Sequence, residues 1–308
     1  MPGALAQPRK TRRIGFLGSS SASGYAPQVE ALRAGLGDLG YVEGKNIAIE
    51  FRWAEGKYER LPELAAELVR LPVDVIVTHG TPGALACKQA TTTIPIVMAS
   101  AGDVTTSGMV ASIARPGGNI TGSTFYNSEL AAKRLELLKE ILPHMRRVAV
   151  LINAANPGME PVLRTMEPVT KAFKLELQQV GVRGPEEFER AFSTMVTGHI
   201  DAVVVLEDGM LNSNIKRIAE LAGAKRLPAI GLPELAEAGG LMAYGVDQLK
   251  MFRRAAYFID KILKGTKAGD IPIERATTFE TILNLKTAKA LGIKFPQSVL
   301  VRADKVIE

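Results

Sequence analysis

Residues Arg13 to Gly24 read RIGFLGSSSASG. Ile14 to Leu17 form a short apolar run bounded by Gly18 and a serine cluster, the pattern of a central strand in a parallel sheet covered on both faces. A loop of small hydroxyl residues follows, then a helix. In open α/β sheets that loop, at the carboxyl end of the strand, is where ligands bind.

Working outward, the same unit recurs. Val29, Leu32, Leu36 and Leu39 fall at helical spacing and predict a helix over Ala26 to Gly40. Asn46 to Trp53 alternates in polarity and predicts a strand. Leu61, Leu64, Leu68 and Leu71 mark the next helix. Val73 to Val77 and Ile94 to Met98 predict two more buried strands, with a helix through Ala84 to Ala90 between them. A further helix is expected to end at the breaker cluster Arg115-Pro116-Gly117-Gly118-Asn119. Right-handed crossovers then make a doubly wound parallel sheet.

Ile120 to Phe125 predicts a strand that leaves this array, and Glu129 to Leu142 an amphipathic helix. Strands at Val148 to Ile152, Leu175 to Val182, Ala202 to Leu206 and Ala229 to Leu232 alternate with helices at Glu186 to Thr197 and Ile215 to Ala222. They form a second array of the same design. Leu241 to Val246, the helix Met251 to Leu263, the extended Ile271 to Asn284, the short helix Leu285 to Leu291 and the tail Val299 to Glu308 are too few for a third domain. They add to the two sheets, so the chain must cross between them more than once. The fold class is α/β: two Rossmann-like lobes facing each other across a cleft.

The 308 residues fit two domains. The net charge of +6 is scattered along helices, and no nucleic-acid motif accompanies it, so a nucleic-acid partner is not expected. The single cysteine, Cys87, excludes an intramolecular disulfide and reads as a small buried residue. The three histidines are spaced too irregularly to suggest a metal site. No apolar run reaches the roughly 18 residues of a transmembrane helix. Ala4-Leu5-Ala6 has the small-x-small pattern of a signal-peptidase site, which predicts export and removal of a leader near Ala6. No cysteine follows that site, so a free periplasmic form is expected rather than a lipid-anchored one.

The loops after the buried strands carry the candidate site: Ser19, Ser20, Ser21, Thr78, Thr81, Ser100, Asp103, Asn153, Asn156, Glu207 and Asp208. Free N–H groups at helix N-termini and hydroxyls beside them hold anions, so the Ser/Thr loops suit a carboxylate. Glu207 or Asp208 would accept an ammonium group, and together the two walls would suit an amino acid zwitterion. Read one at a time, the same residues are ordinary helix caps. Enzymatic signatures are missing. Gly15 to Ser21 lacks GxGxxG spacing, Gly18 to Gly24 is not a P-loop, and no GxSxG or HExxH occurs. Ser100 with His79 would be a hydrolase pair without activating context.

Several stretches resemble the ABC-transporter substrate-binding protein family, with its tryptophan- and tyrosine-binding relatives. They are RRIGFLGS at 12–19, LGYVEGKNIAIEFRWAEG at 39–56, ARPGGNITG at 114–122, KRLELLKEILP at 133–143, EAGGLMAYG at 237–245 and NLKTAKALGIKFPQSVLVRADKVIE at 284–308. The resemblance spans nearly the whole chain. It implies a type I periplasmic binding protein: two lobes, three crossover strands and a solute in the cleft. By that analogy Ser19 to Ser21, Gly80-Thr81 and Ala101-Gly102-Asp103 hold the ligand's carboxylate. Asn153, Asn156, Glu207, Asp208 and the Pro233-Glu234 loop complete the other wall. The crossings, acting as hinges, would lie at Thr124, Tyr244-Gly245 and Thr278. The lobes would comprise residues 13–123 with about 246–277, and 124–245 with about 278–308. Residues 1–12 would be a remnant of the processed N-terminus.

The expected function is solute capture for an ABC importer by hinge closure. The ligand would be a small carboxylate: an amino acid, aromatic by the family's suggestion, with a branched-chain amino acid or an aromatic carboxylate fitting the same polar grip. The expected partners are that solute and a membrane permease; a monomer is expected, with no cofactor, no metal and no catalysis. A cytoplasmic sensor or an enzyme on the same scaffold are the alternatives. A repressor would need a helix-turn-helix ahead of Arg13.

Overall fold

The computed structural model describes residues 11–308. The Ala4-Leu5-Ala6 motif and almost all of the expected N-terminal remnant lie outside the described residues. Arg12 opens the first strand, paired with Ile47.

In chain order come β1 (Arg12–Gly18), α1 (Ala26–Asp38), β2 (Ile47–Trp53), α2 (Leu61–Arg70), β3 (Val75–His79), α3 (Gly80–Ala90), β4 (Ile96–Ala101) and β5 (Ile120–Thr124). Next are α4 (Asn127–Ile141), β6 (Arg147–Asn153), α5 (Met159–Ala172), β7 (Glu176–Val182), α6 (Phe188–Thr197), β8 (Ala202–Val205), α7 (Gly209–Ser213), α8 (Ile215–Ala224), β9 (Ala229–Gly231), α9 (Pro233–Glu237) and β10 (Met242–Gly245). The chain ends with α10 (Gln248–Leu263), β11 (Glu274–Arg275), β12 (Glu280–Asn284), α11 (Leu285–Leu291), α12 (Gln297–Leu300) and β13 (Lys305–Ile307).

These strands build two sheets, ordered β11-β5-β4-β3-β1-β2 and β13-β12-β10-β9-β8-β6-β7. Every strand pairing is parallel except β10 with β12. The chain passes from one sheet to the other after Thr124, after Gly245 and between Arg275 and Glu280. The extended stretch Ile271 to Asn284 is therefore two strands in different sheets.

Two expectations are corrected. Ile120 to Phe125 does not leave the first array: β5 pairs with β4 and extends that sheet, and the departure comes just after it. No helix lies between β4 and Arg115. Residues 102–119 are turns and bends, because Gly108, Gly117 and Gly118 sit at positive φ and Pro116 cannot continue a helix.

The first core lies between one face of the first sheet and two helices. Ile14, Phe16, Val75 and Val77 pack on Val29, Leu32 and Leu36 of α1 and on Phe252, Ala255 and Ile259 of α10. The helix α10 thus follows a strand of the second sheet and covers the first. The second sheet packs Val148, Val150 and Val204 on Leu135, Leu138 and Met166. Parallel pairing sends the carboxyl ends of the strands, and the loops after them, to the edge where the lobes meet.

Candidate functional site

Between the lobes is a pocket lined by residues of both. The first lobe contributes Tyr25, Tyr58, His79, Gly80, Thr81 and Ser100. The second contributes Asn156, Met159, Glu207, Asp208 and Asn212, and the crossing segments add Phe125, Asn127 and Gln248.

Asp208 is the centre of the second wall. It lies at the end of β8, 4% exposed, and caps α7. Its Oδ1 accepts from Asn153 Nδ2 (3.0 Å) and from the backbone N–H groups of Met210 (2.9 Å) and Leu211 (3.2 Å). Its Oδ2 accepts from the Tyr58 hydroxyl (2.8 Å) and Asn156 Nδ2 (2.9 Å). A carboxylate offers about four lone-pair sites, and these five donors occupy them. All five are neutral, so the negative charge has no counter-cation there.

Glu207 differs. Its carboxylate receives both Nη groups of Arg134, a side chain with no exposure at all. Arg134 also donates from Nε to the Tyr244 carbonyl (2.8 Å) and from Nη1 to the Val205 carbonyl (3.3 Å). The pair is neutral as a whole and ties α4 to the ends of β8 and β10. A buried guanidinium fits this role because its planar fork satisfies the carboxylate bidentately.

The first wall carries no charge. His79 is 3% exposed; its Nε2 accepts from the Ser19 N–H (3.3 Å), and its ring stacks on Tyr25 at 4.1 Å. Burial pushes its imidazole down to about 3, so it is neutral near pH 7. Burial, then the Asp208 charge, raises the hydroxyl groups of Tyr25 and Tyr58 far above the ordinary phenol range. The α3 helix starts at Gly80 with no side-chain cap. Its first-turn N–H groups, those of Gly80 and Thr81, stand beside the cavity.

Of the expected site residues, Gly80, Thr81, Ser100, Gly102, Asn156, Glu207 and Asp208 line this cavity. Asn153 stands behind it, on Asp208. Ser19, Ser20 and Ser21 do not line it, because the loop turns towards the meeting edge of the lobes. Ser20 Oγ lies 2.5 Å from Ser213 Oγ across the cleft, and Ser21 Oγ caps the Gly24 N–H (3.1 Å). Ala101 uses its carbonyl to hold Thr124 and Phe125. Asp103 accepts from the Ser128 hydroxyl (2.8 Å) and faces a second cavity. Pro233 and Glu234 start α9 and lie outside the lining. Burial, with Glu237, Asp247 and Glu207 nearby, pushes Glu234 up to about 7. Its Oε2 is buried and has no hydrogen-bond partner among the described residues. Thr124, Tyr244-Gly245 and Thr278 stand at the three passages between sheets. Ser100 and His79 form no pair: Ser100 Oγ points to the Met251 sulfur, 3.7 Å away.

Tyr25, Tyr58, Asn127, Met159, Gln248 and Arg134 were not anticipated. Arg134 had a signal: it falls in register with Leu130, Leu138 and Ile141 on the apolar face of its helix.

A family model described as ABC transporter substrate binding protein matches residues 20–307. The chain belongs to that family. A tyrosine-binding protein of Clostridioides difficile (strain R20291) is 30% identical over 260 residues, 84% of this chain and 74% of that protein. The solved ABC domain in complex with L-Trp from Streptococcus pneumonia is 25% identical with a TM-score of 0.87, covering 97% of this chain and 100% of that one. A conserved domain protein from Vibrio cholerae is also 25% identical, with a TM-score of 0.89 over 96% of this chain and 100% of that one. The architecture is that of type I periplasmic binding proteins. Proteins of this family bind small solutes outside the membrane and work with a permease in it. No helix among the described residues is long and apolar enough to cross a membrane.

Proposed function

We propose that this substrate-binding protein captures an α-amino acid in the interlobe cavity and closes over it for delivery to its permease. The observation that carries this reading is the buried Asp208 carboxylate, satisfied by neutral donors only. A wall with one unmatched negative charge disfavours a simple anion and favours a ligand that brings an ammonium group. The direct seat for that group is the Glu207 face of the cavity, where Asp208 acts through its field rather than through a free lone pair. The uncapped first turn of α3, at Gly80 and Thr81, takes the ligand's carboxylate. The L-Trp complex and the tyrosine-binding relative make aromatic amino acids the first candidates.

In this reading the lobes are residues 12–124 with about 246–277, and 125–245 with about 278–308. They rotate about Thr124, Tyr244-Gly245 and Thr278. Ser20 meets Ser213 as the cleft closes. The site binds and releases without chemistry, the protein works as a periplasmic monomer cut near Ala6, and it needs neither cofactor nor metal.

Calorimetric titration with L-tyrosine and L-tryptophan, and with their amine-free analogues 3-(4-hydroxyphenyl)propanoate and indole-3-propanoate, tests this. The amino acids should bind at least about 100-fold more tightly, roughly 2.7 kcal/mol, and Asp208→Asn should narrow that margin. Equal binding of the amine-free acids would overturn the reading.

A further inference from the structure

A second pocket lies beside the first and also between the lobes. Leu85 of α3, Pro157 just ahead of α5, and Pro161 and Val162 in the first turn of α5 give it an apolar side, with Asp103, Thr106 and Ser107 on another. The two cavities share Thr81, Gly102 and Asn127 as a common wall. Asn127 is 4% exposed, and its Oδ1 has no hydrogen-bond partner among the described residues. A buried acceptor left unsatisfied is costly, and one placed between two cavities calls for a donor from whatever spans them. Gly158 makes the neck: a Cβ there would lie 3.2 Å from Thr81 Oγ1 on the opposite lobe.

We propose that the two cavities are compartments of one ligand site. The polar head of the solute sits in the first, and its side chain passes the Thr81–Asn127 neck into the second. The solute is then an amino acid with a large, mainly apolar side chain, and Leu85, Pro161 and Val162 set its size. Asn127 Oδ1 accepts a hydrogen bond from the solute at the neck. This rests on the amino-acid reading above and adds a subsite and a size rule to it. Each methylene buried in the second compartment improves affinity about fourfold.

The test is titration of L-tryptophan against L-alanine on the native protein and on two variants that fill the second compartment, Leu85→Trp and Pro161→Phe. Both positions are half-buried, and thermal melts of the unliganded variants check folding. The native protein should prefer tryptophan by at least about 100-fold, and either filling variant should cut that preference below about tenfold. Asn127→Leu should weaken tryptophan at least about tenfold. A native preference under tenfold, or filling variants that keep the native ratio, would overturn the subsite while leaving the amino-acid reading in place. If the native protein binds neither amino acid, the amino-acid reading falls and the subsite with it.

Discussion

The two walls of the cleft are built on the same strand-loop-helix unit, yet one is neutral and the other charged. The first wall presents His79, Tyr25, Tyr58 and the bare start of α3. The second presents Glu207, Asp208 and, behind them, Glu234, with Arg134 as the one buried cation among them. The difference lies in the residues at the carboxyl end of each strand. After β3 the helix begins at once with Gly80 and leaves its N–H groups free. After β8 the chain supplies Glu207-Asp208 first, and Asp208 consumes the N–H groups of α7 as its own cap. A donor wall therefore faces an acceptor wall, and a zwitterion laid between them satisfies both.

Removing the buried cation should break this contrast most severely. Arg134→Met leaves the Glu207 carboxylate buried without a partner and frees the Tyr244 and Val205 carbonyls. A loss of about 3–5 kcal/mol is expected. The double variant Arg134→Met with Glu207→Leu should recover most of it, since two apolar side chains can replace a buried pair. On the neutral wall His79→Phe removes one neutral hydrogen bond and should cost about 1 kcal/mol. Urea unfolding followed by circular dichroism reads both. Trp53, the single tryptophan, lies in β2 and reports the first lobe by fluorescence. Arg134→Met should shift the fluorescence transition less than the dichroism transition. If Arg134→Met costs no more than His79→Phe, the charged wall is not what holds the second lobe.

Acid sets the walls against each other. His79 stays neutral down to about 3, whereas the unfolded imidazole takes a proton near 6.5. The unfolded state binds more protons in that window, so stability falls as the pH drops from 6.5 toward 3. Glu234 keeps its proton up to about 7, against an ordinary 4.5. Its contribution is fully present below 4.5 and is lost as the pH rises to 7. Between 4.5 and 6.5 the slopes oppose each other at about 1.4 kcal/mol per pH unit each, and the native protein should be nearly flat there. Glu234→Gln should expose the His79 slope, with a loss of about 2 kcal/mol between pH 6.5 and 5. Calorimetric melts at those two pH values decide it. A Glu234→Gln protein as flat as the native one would show that the compensation does not exist.

The contrast between walls was half legible in the sequence. Buried runs such as Val73 to Val77 and Ala202 to Leu206 announce parallel strands, and the residues after them announce the loops. Gly80, Thr81, Glu207 and Asp208 were found in this way. The serine run at 19–21 reads as a carboxylate grip, but its direction depends on tertiary packing: the backbone at Ser19 is held by His79, and Ser20 turns toward Ser213. Tyr58 was missed because it lies in the short turn of helix beyond the loop after β2, and its partner Asp208 is 150 positions along the chain, on the other side of the cleft. The division of labour between Glu207 and Asp208 was also hidden. Two adjacent acids look alike in sequence, and only Arg134, 73 residues away, distinguishes them. The absent helix before Arg115 shows the opposite failure, in which a stop signal was read without a helix ahead of it.

The smallest expected effect tests whether the walls must meet at all. Gly24 in the first lobe approaches Ser213 in the second so closely that a Cβ at 24 would lie 2.5 Å from the Ser213 Cβ. This contact is between lobes, beside the Ser20–Ser213 hydrogen bond, and Gly24 is only half-buried. A methyl group there leaves either core untouched but props the edge of the cleft. Gly24→Ala should leave the melting temperature of the unliganded protein almost unchanged. It should weaken the bound amino acid about tenfold, or 1.4 kcal/mol, because a ligand that touches both walls binds the closed arrangement better and that arrangement is now less populated. Trimming the partner, with Ser213→Gly in the same chain, should restore much of the affinity. If Gly24→Ala binds as tightly as the native protein, the solute is held by one wall alone, and the pairing of a donor wall with an acceptor wall is not what recognises it.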